Sequence, residues 1–188
     1  MDVPAQAGTN ADAAPRRIVV MGVSGSGKTS VAEALARRLG LAFLEGDRLH
    51  PRENIDKMSK GIPLSDTDRW PWLDRIGEHL HAATAEGQGI VVSCSALKRA
   101  YRDRLRSAAG GRLTFLFLDG SRDLLLARMQ ARSGHFMPAS LLDSQFAALE
   151  DPTGEPDVVA VGIDATLGSI VEDSLVRLAA LWKTQPAS

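Results

Sequence analysis

The chain has 188 residues, of which 44% are hydrophobic and 24% charged, so one domain can bury about two-thirds of its unfolded surface. The formal net charge of −1 gives no electrostatic reason to expect nucleic acid or an anionic membrane as a partner. Cys94 is the single cysteine, which excludes an intrachain disulfide and fits a reducing compartment, so we expect a cytoplasmic protein.

The two ends of the chain differ in composition from the rest. Residues 1–15 are rich in Ala, Gly, Pro and Asp, and they lack the basic and apolar regions of a signal peptide. We expect them to form a disordered tail, and we expect the same of residues 184–188. No apolar run approaches the roughly 20 residues that span a bilayer. The folded domain is therefore predicted at residues 16–183.

Short apolar runs alternate with helix-type stretches through this domain. We predict strands at residues 17–21, 41–44, 89–93, 113–118 and 158–163. We predict helices at residues 28–39, 69–85, 97–108, 121–131, 139–149 and 167–182, with Pro71 tolerated in the first turn of its helix. This alternation predicts an α/β fold, with a five-stranded parallel sheet between two helical layers. Ligands should bind beyond the carboxyl ends of the strands.

A glycine-rich loop follows the first predicted strand. Residues 22–29 read GVSGSGKT, which matches the P-loop pattern G-x-x-x-x-G-K-[ST]. Glycines let backbone N–H groups turn toward phosphate oxygens, and the following helix directs its positive end at the same anion. Lys28 is expected to bridge the β- and γ-phosphates of ATP, and Thr29 to bind Mg²⁺. The expected nucleotide-binding residues are Gly22, Val23, Ser24, Gly25, Ser26, Gly27, Lys28, Thr29 and Ser30.

Two other nucleotide-binding classes fit less well. The Gly-x-Gly spacing also occurs in dinucleotide-binding Rossmann loops, but the Lys28–Thr29 pair argues against that class. Guanine-specific GTPases resemble one another in an Asn-Lys-x-Asp motif, which the sequence lacks. Its D-x-x-G match at residues 151–154 comes too late in the chain to be a GTPase switch.

Polar residues after the second strand are candidates for an acceptor site. Asp47 could accept or orient the substrate hydroxyl, or hold a Mg²⁺-bound water, although it could also be a helix N-terminal carboxylate. His50 could hydrogen-bond a polyol or be structural. Lys57 could meet an anionic acceptor or be a solvated surface charge.

Two pairs of basic residues follow the later strands. Lys98 and Arg102 are four residues apart, so on a helix they share a face that suits a carboxylate or phosphate. Arg128 and Arg132 are also four apart and run into a Gly-containing loop with His135. We expect a closing lid at about residues 128–140 whose arginines neutralise the transferring phosphoryl group and exclude water. Both pairs could instead be ordinary surface charges.

The sequence resembles the small, P-loop type of gluconokinases over roughly residues 17–182. The motifs that carry the resemblance are MGVSGSGKT (21–29), GDRLHPRENIDKMSKGIPLSDTDRWPWL (46–73), CSALKRAYRDRLR (94–106) and RSGHFMPASLLDSQFAALEDP (132–152). The resemblance implies transfer of the ATP γ-phosphoryl group to the 6-hydroxyl of D-gluconate, in carbohydrate catabolism. It also implies a fold like that of nucleoside monophosphate kinases, a helical lid and a homodimer. For a gluconate acceptor, Asp47 and His50 could contact the polyol, and Lys57, Lys98 or Arg102 could bind the carboxylate. His135 is a further candidate substrate contact.

Three hypotheses therefore compete. The first is a gluconokinase, and the second is a kinase of the same fold that acts on another acceptor, such as shikimate, a nucleotide or a related sugar acid. The segment 46–73 argues against most of these acceptors, but not against a close sugar acid. The third is a non-catalytic ATP-dependent binding module, which needs neither an acceptor-side carboxylate nor lid arginines.

Overall fold

Residues 16–131 and 139–184 are described by the computed structural model. Their five strands are β1 (Arg17–Met21), β2 (Ala42–Glu45), β3 (Ile90–Ser93), β4 (Thr114–Asp119) and β5 (Val158–Gly162). All of the strand pairs are parallel, and the strand order is β2-β3-β1-β4-β5. The predicted α/β class and five-stranded parallel sheet are thus confirmed.

Seven helices occur in the described residues. They are α1 (Lys28–Leu39), α2 (Arg52–Ser59), α3 (Asp66–Ala85), α4 (Arg99–Ala109), α5 (Arg122–Ala131), α6 (Ala139–Ala148) and α7 (Leu167–Thr184). A 3₁₀ turn at Gly46–Leu49 lies between β2 and α2. Within the described ranges, none of the helices combines the length and the apolar composition needed to cross a bilayer.

The structure corrects the sequence prediction in the segment between β2 and β3. Helix α2 was not predicted, because its eight residues are mostly polar and Ile55 and Met58 are exposed. Helix α3 begins at Asp66, three residues before the predicted start. The Ser65 side chain accepts from the Asp68 N–H at 3.2 Å, and the Asp68 carboxylate accepts from the Ser65 N–H at 2.8 Å. Pro71 consequently lies in the second turn, not in the first.

Successive residues of the central strand face two different apolar layers. Ile18 and Val20 pack in the cluster that includes buried residues of α1 and α7. Val19 and Met21 pack in the cluster that includes buried residues of α3 and α4. Because side chains alternate along a strand, the sheet separates two helical layers, and the carboxyl ends of the strands share one edge.

Candidate active site

The loop between β1 and α1 has the backbone that a phosphate site needs. It leaves the central strand of the sheet, and its glycines Gly22, Gly25 and Gly27 have φ angles of 144°, 81° and 89°. Gly27 precedes α1 without a side-chain cap, so the first N–H groups of the helix are oriented toward an anion site. The buried Ser26 hydroxyl has no hydrogen-bond partner within residues 16–131 and 139–184. This loop therefore fits the phosphates of a nucleoside triphosphate.

Lys28 lies where the loop meets the acceptor side of the site. Its Nζ donates to the Val23 carbonyl oxygen at 3.1 Å, which holds the side chain against the loop. Its positive charge also acts on Asp47, whose pKa it lowers against the effect of burial. Thr29 and Ser30 are exposed in the first turn of α1, so the Thr29 hydroxyl is accessible to a metal ion at the phosphates.

A close contact between two strand ends positions Asp47. A Cβ atom on Gly46 would overlap the carbonyl oxygen of Ser93, so only glycine allows this approach of the two backbones. The Gly46 N–H donates to Ser93 Oγ at 3.3 Å, and Trp72 Nε1 donates to the Gly46 carbonyl at 2.8 Å. Asp47 is the next residue in the 3₁₀ turn and lines a cavity beside Lys28.

The Asp47 carboxyl has a raised pKa. Desolvation by the surrounding protein is the main cause, Lys28 opposes it, and the negative charge of Glu45 adds to it. The side chain itself is exposed to the cavity, so it can contact a ligand. The protein atoms around the cavity nevertheless reduce its hydration. A carboxylate in this environment is a better proton acceptor than one in water.

His50 presents a hydrogen-bond donor to the same cavity. Its ring is buried and stacks on Trp72, with ring centroids 4.1 Å apart. The Asn54 amide nitrogen lies 3.3 Å from His50 Nδ1 and donates to the Asp68 carbonyl oxygen at 2.8 Å. We therefore assign Nδ1 as the acceptor and place the proton on Nε2, which lies 4.0 Å from the Asp47 carboxylate. Burial, and then the charge of Arg69, lower the pKa of His50 to about 4, so the ring is neutral near pH 7.

The cavity between these groups has a volume of about 730 Å³. Its walls come from the phosphate loop, the 3₁₀ turn, residues 58–64, α3 and α6. This volume suits a small polar acceptor next to the phosphates. The lining residues that matter for the chemistry are Ser24, Lys28, Asp47, His50, Arg69 and Gln145.

The structure does not bring three of the predicted acceptor-binding cations to this cavity. Lys57 pairs with Asp68 at 2.7 Å, and Lys98, which precedes α4, pairs with Asp66 at 2.8 Å. Arg102 is completely buried and donates to Glu155 and to the main-chain carbonyls of Ala96 and Leu97, which precede α4. The expected shared face of Lys98 and Arg102 does not form, because Lys98 lies outside the helix.

The predicted lid is only partly within the described residues. Arg128, in the last turn of α5, donates from Nη2 to the Ile163 carbonyl oxygen at 2.5 Å and does not line the acceptor cavity. Arg132 and His135 lie outside the described residues. Helix α5 is close to the phosphate loop, since a Cβ atom on Gly25 would lie 3.1 Å from Met129 Cγ.

Gln145 and Arg69 are polar cavity residues that the sequence analysis did not predict as site residues. Gln145 of α6 accepts from the Ser24 N–H at 2.6 Å and donates to Ser24 Oγ at 2.8 Å, so it joins α6 to the phosphate loop. Arg69 of α3 donates to the Leu64 carbonyl and to the Tyr101 hydroxyl. Both lie in the segments that carry the family resemblance, but neither residue is marked by spacing or periodicity.

The fold and the phosphate loop define a nucleotide-binding protein of the P-loop class, and a family described as "AAA domain" matches residues 18–152. A gluconokinase of Gluconobacter oxydans is 51% identical over 163 residues, which are 87% of this chain and 90% of that protein. The thermosensitive gluconokinase of Escherichia coli is 48% identical over 155 residues, 82% of each chain. A solved gluconokinase of Sinorhizobium meliloti is 55% identical, with a TM-score of 0.83 over 92% of this chain and 99% of that one. The chain belongs to the gluconokinase family.

Proposed function

We propose that this protein transfers the γ-phosphoryl group of ATP to the 6-hydroxyl of D-gluconate, giving 6-phospho-D-gluconate and ADP. The observation that carries the proposal is the cavity in which Asp47 and a neutral His50 lie beside Lys28 of the phosphate loop. A carboxylate, a donor and a cation at one edge of the sheet are the groups that a polyol acceptor needs. The named activity of the relatives supports the choice of gluconate.

The phosphate loop supplies the nucleotide side of this reaction. Backbone N–H groups of the loop and of the first turn of α1 bind the phosphates, and Lys28 stabilises negative charge on the group that is transferred. Thr29 would hold Mg²⁺ through its hydroxyl. When bound, Mg²⁺ would neutralise negative charge on the phosphates. The exposed position of Thr29 at the start of α1 is compatible with this role.

Asp47 and His50 supply the acceptor side. Asp47 accepts the proton of the attacking hydroxyl or orients that hydroxyl, and its raised pKa favours the first role. The Nε2–H of His50 donates to an acceptor hydroxyl, and its stack on Trp72 holds the ring in place. Arg128 and Arg132 are proposed to close over the phosphates from the lid, where they exclude water that would otherwise hydrolyse ATP, and His135 is proposed to contact the acceptor.

The proposal is tested by measuring ADP release from Mg·ATP with D-gluconate, shikimate, AMP and other aldonates added separately. Strong stimulation by D-gluconate alone, with mass-spectrometric detection of the 6-phosphate, is the expected result. Stimulation by another acceptor would keep the kinase class and overturn the substrate. ATP binding without stimulation by any acceptor would favour a non-catalytic binding module.

We further propose that the protein is a homodimer, as the family resemblance implies, and that it is cytoplasmic, because its single cysteine fits a reducing compartment. Light scattering after gel filtration should give twice the 20.1 kDa mass of one chain. A mass of one chain at micromolar concentration would contradict the dimer without affecting the proposed reaction.

A further inference from the structure

The positively charged side chains that line the acceptor cavity occupy three different positions. Among the lining residues that the structure describes, the lysines and arginines are Lys28, Lys60 and Arg69. Lys28 belongs to the phosphate loop, and Lys60 is exposed just after α2. Arg69 is half-buried in the wall formed by α3.

Neutral oxygen atoms hold the Arg69 guanidinium. Its Nη1 donates to the Leu64 carbonyl and lies 3.4 Å from the Tyr101 hydroxyl oxygen. Within residues 16–131 and 139–184, no carboxylate comes within ion-pair distance of this guanidinium. Arg69 therefore has a fixed orientation and no direct ion-pair partner among those residues, although its charge acts on the Asp66 carboxylate.

Asp66, the carboxylate on which the Arg69 charge acts, already binds two other side chains. Asp66 accepts from Lys98 Nζ at 2.8 and 2.9 Å and from the Tyr101 hydroxyl. Because Tyr101 donates its proton to Asp66, its oxygen is left to accept from Arg69. The cluster of Asp66, Lys98 and Arg69 thus retains one positive charge, and Arg69 is the member that lines the cavity.

We propose that Arg69 binds the carboxylate of the acceptor and thereby selects a sugar acid over a neutral sugar or polyol of the same length. The inference rests on the proposed function, since it assumes an anionic acceptor. A guanidinium matches a carboxylate in a planar, two-bond geometry and is weakly hydrated, so it suits a half-buried site. His50 stays neutral near this cation, so the acceptor carboxylate meets one fixed positive charge in that wall.

The test compares D-gluconate with D-glucitol, in which a neutral CH₂OH group replaces the carboxylate. In Arg69→Gln, we expect kcat/KM for gluconate to fall about 100-fold, mainly through KM, with KM for ATP unchanged. The preference of the wild type for gluconate over glucitol should shrink by the same factor. Arg69→Lys, which keeps the charge but loses the planar fork, should lose about tenfold.

Arg75→Gln is the matched control, because Arg75 is an exposed arginine of the same helix that also donates to a carbonyl oxygen. It should leave KM for gluconate unchanged. If Arg69→Gln does not fold, KM for gluconate in Arg69→Lys tests the role of Arg69. A gluconate KM within about threefold of wild type in the folded Arg69 variants would overturn the inference and leave the proposed function intact.

The acceptors that the wild-type protein phosphorylates distinguish a failure of the proposed function from a failure of the role given to Arg69. If it phosphorylates a different sugar acid, the proposed substrate is wrong, and the same Arg69 variants should lose activity on that acid. If it phosphorylates only a neutral acceptor, both the proposed function and the role of Arg69 are overturned.

Discussion

Lys28 places a positive charge between the phosphate loop and the acceptor cavity. In Lys28→Met, we expect kcat to fall at least about 100-fold, because the charge of the transferring group is then not neutralised from this side. The melting temperature should change little, since the side chain lies at an open site. Lys183→Met, an exposed change at the end of α7, is the control. More than about a tenth of wild-type turnover in Lys28→Met would refute the role given to Lys28.

Asp47 combines exposure to the cavity with a raised pKa. Its raised pKa means that the charged carboxylate is less stable in the fold than in the unfolded chain. Asp47→Asn should therefore raise the free energy of unfolding at pH 7, while kcat falls far more than KM for ATP rises. Chemical denaturation and steady-state kinetics measure the two effects. An effect confined to ATP binding would instead place Asp47 at the metal.

His50 should make the protein sensitive to mild acid. Its pKa is about 4 in the fold and near 6.5 when unfolded, so the unfolded state binds the extra proton between these values. Stability is thus lost as pH falls from 6.5 toward 4, by about 2 kcal/mol at pH 5 relative to pH 7. Urea unfolding of His50→Gln should show a pH-dependent loss smaller by that amount. An equal loss in the variant and the wild type would contradict the assignment.

At the scale of elements, the bond between Gln145 of α6 and Ser24 of the phosphate loop is a specific link. In Gln145→Glu, a negative charge beside the loop should raise KM for ATP at least about tenfold, more than in the neutral Gln145→Leu. Gln130→Glu, an exposed change on α5, is the matched control. Equal ATP affinity in Gln145→Glu and the wild type would show that this link is remote from the phosphates.

Sequence patterns predicted elements well where periodicity or a complete motif was present. All five strands and the phosphate loop follow from short apolar runs and from residues 22–29. Helix α2 lacked a buried apolar face, and the start of α3 depends on Ser65, which begins no apolar pattern. The cation at the cavity wall was missed for the same reason, because the position of Arg69 depends on where α3 begins.

The burial of Arg102 could not be predicted from the local sequence. Its spacing from Lys98 suggested a binding face, yet its partner is Glu155, which lies 53 residues further along the chain. A charged side chain can be buried when such a distant residue neutralises it, and a local sequence pattern cannot predict that partner.

At the scale of the whole molecule, Arg102 and Arg106 of α4 join that helix to the segment before β5. Glu155 accepts from both arginines, and Arg106 also pairs with Asp157 at 2.7 Å. Glu155→Gln should lower the free energy of unfolding by about 3 kcal/mol, because it leaves the buried Arg102 charge without its carboxylate. Denaturant unfolding measures this loss. Glu172→Gln, in the exposed pair with Arg38, should change stability little, and equal effects would contradict the argument.

The contact of Gly46 with the Ser93 carbonyl sets a limit on redesign of this protein for other acceptors. Any side chain at residue 46 would separate β2 from β3 and displace the carboxylate that follows. Substrate range should therefore be altered at Met58 and Ile62, which line the same cavity, are exposed and lie outside the strands. A library of variants at these positions would vary the shape of the acceptor cavity and leave Asp47, which orients the reacting hydroxyl, in place.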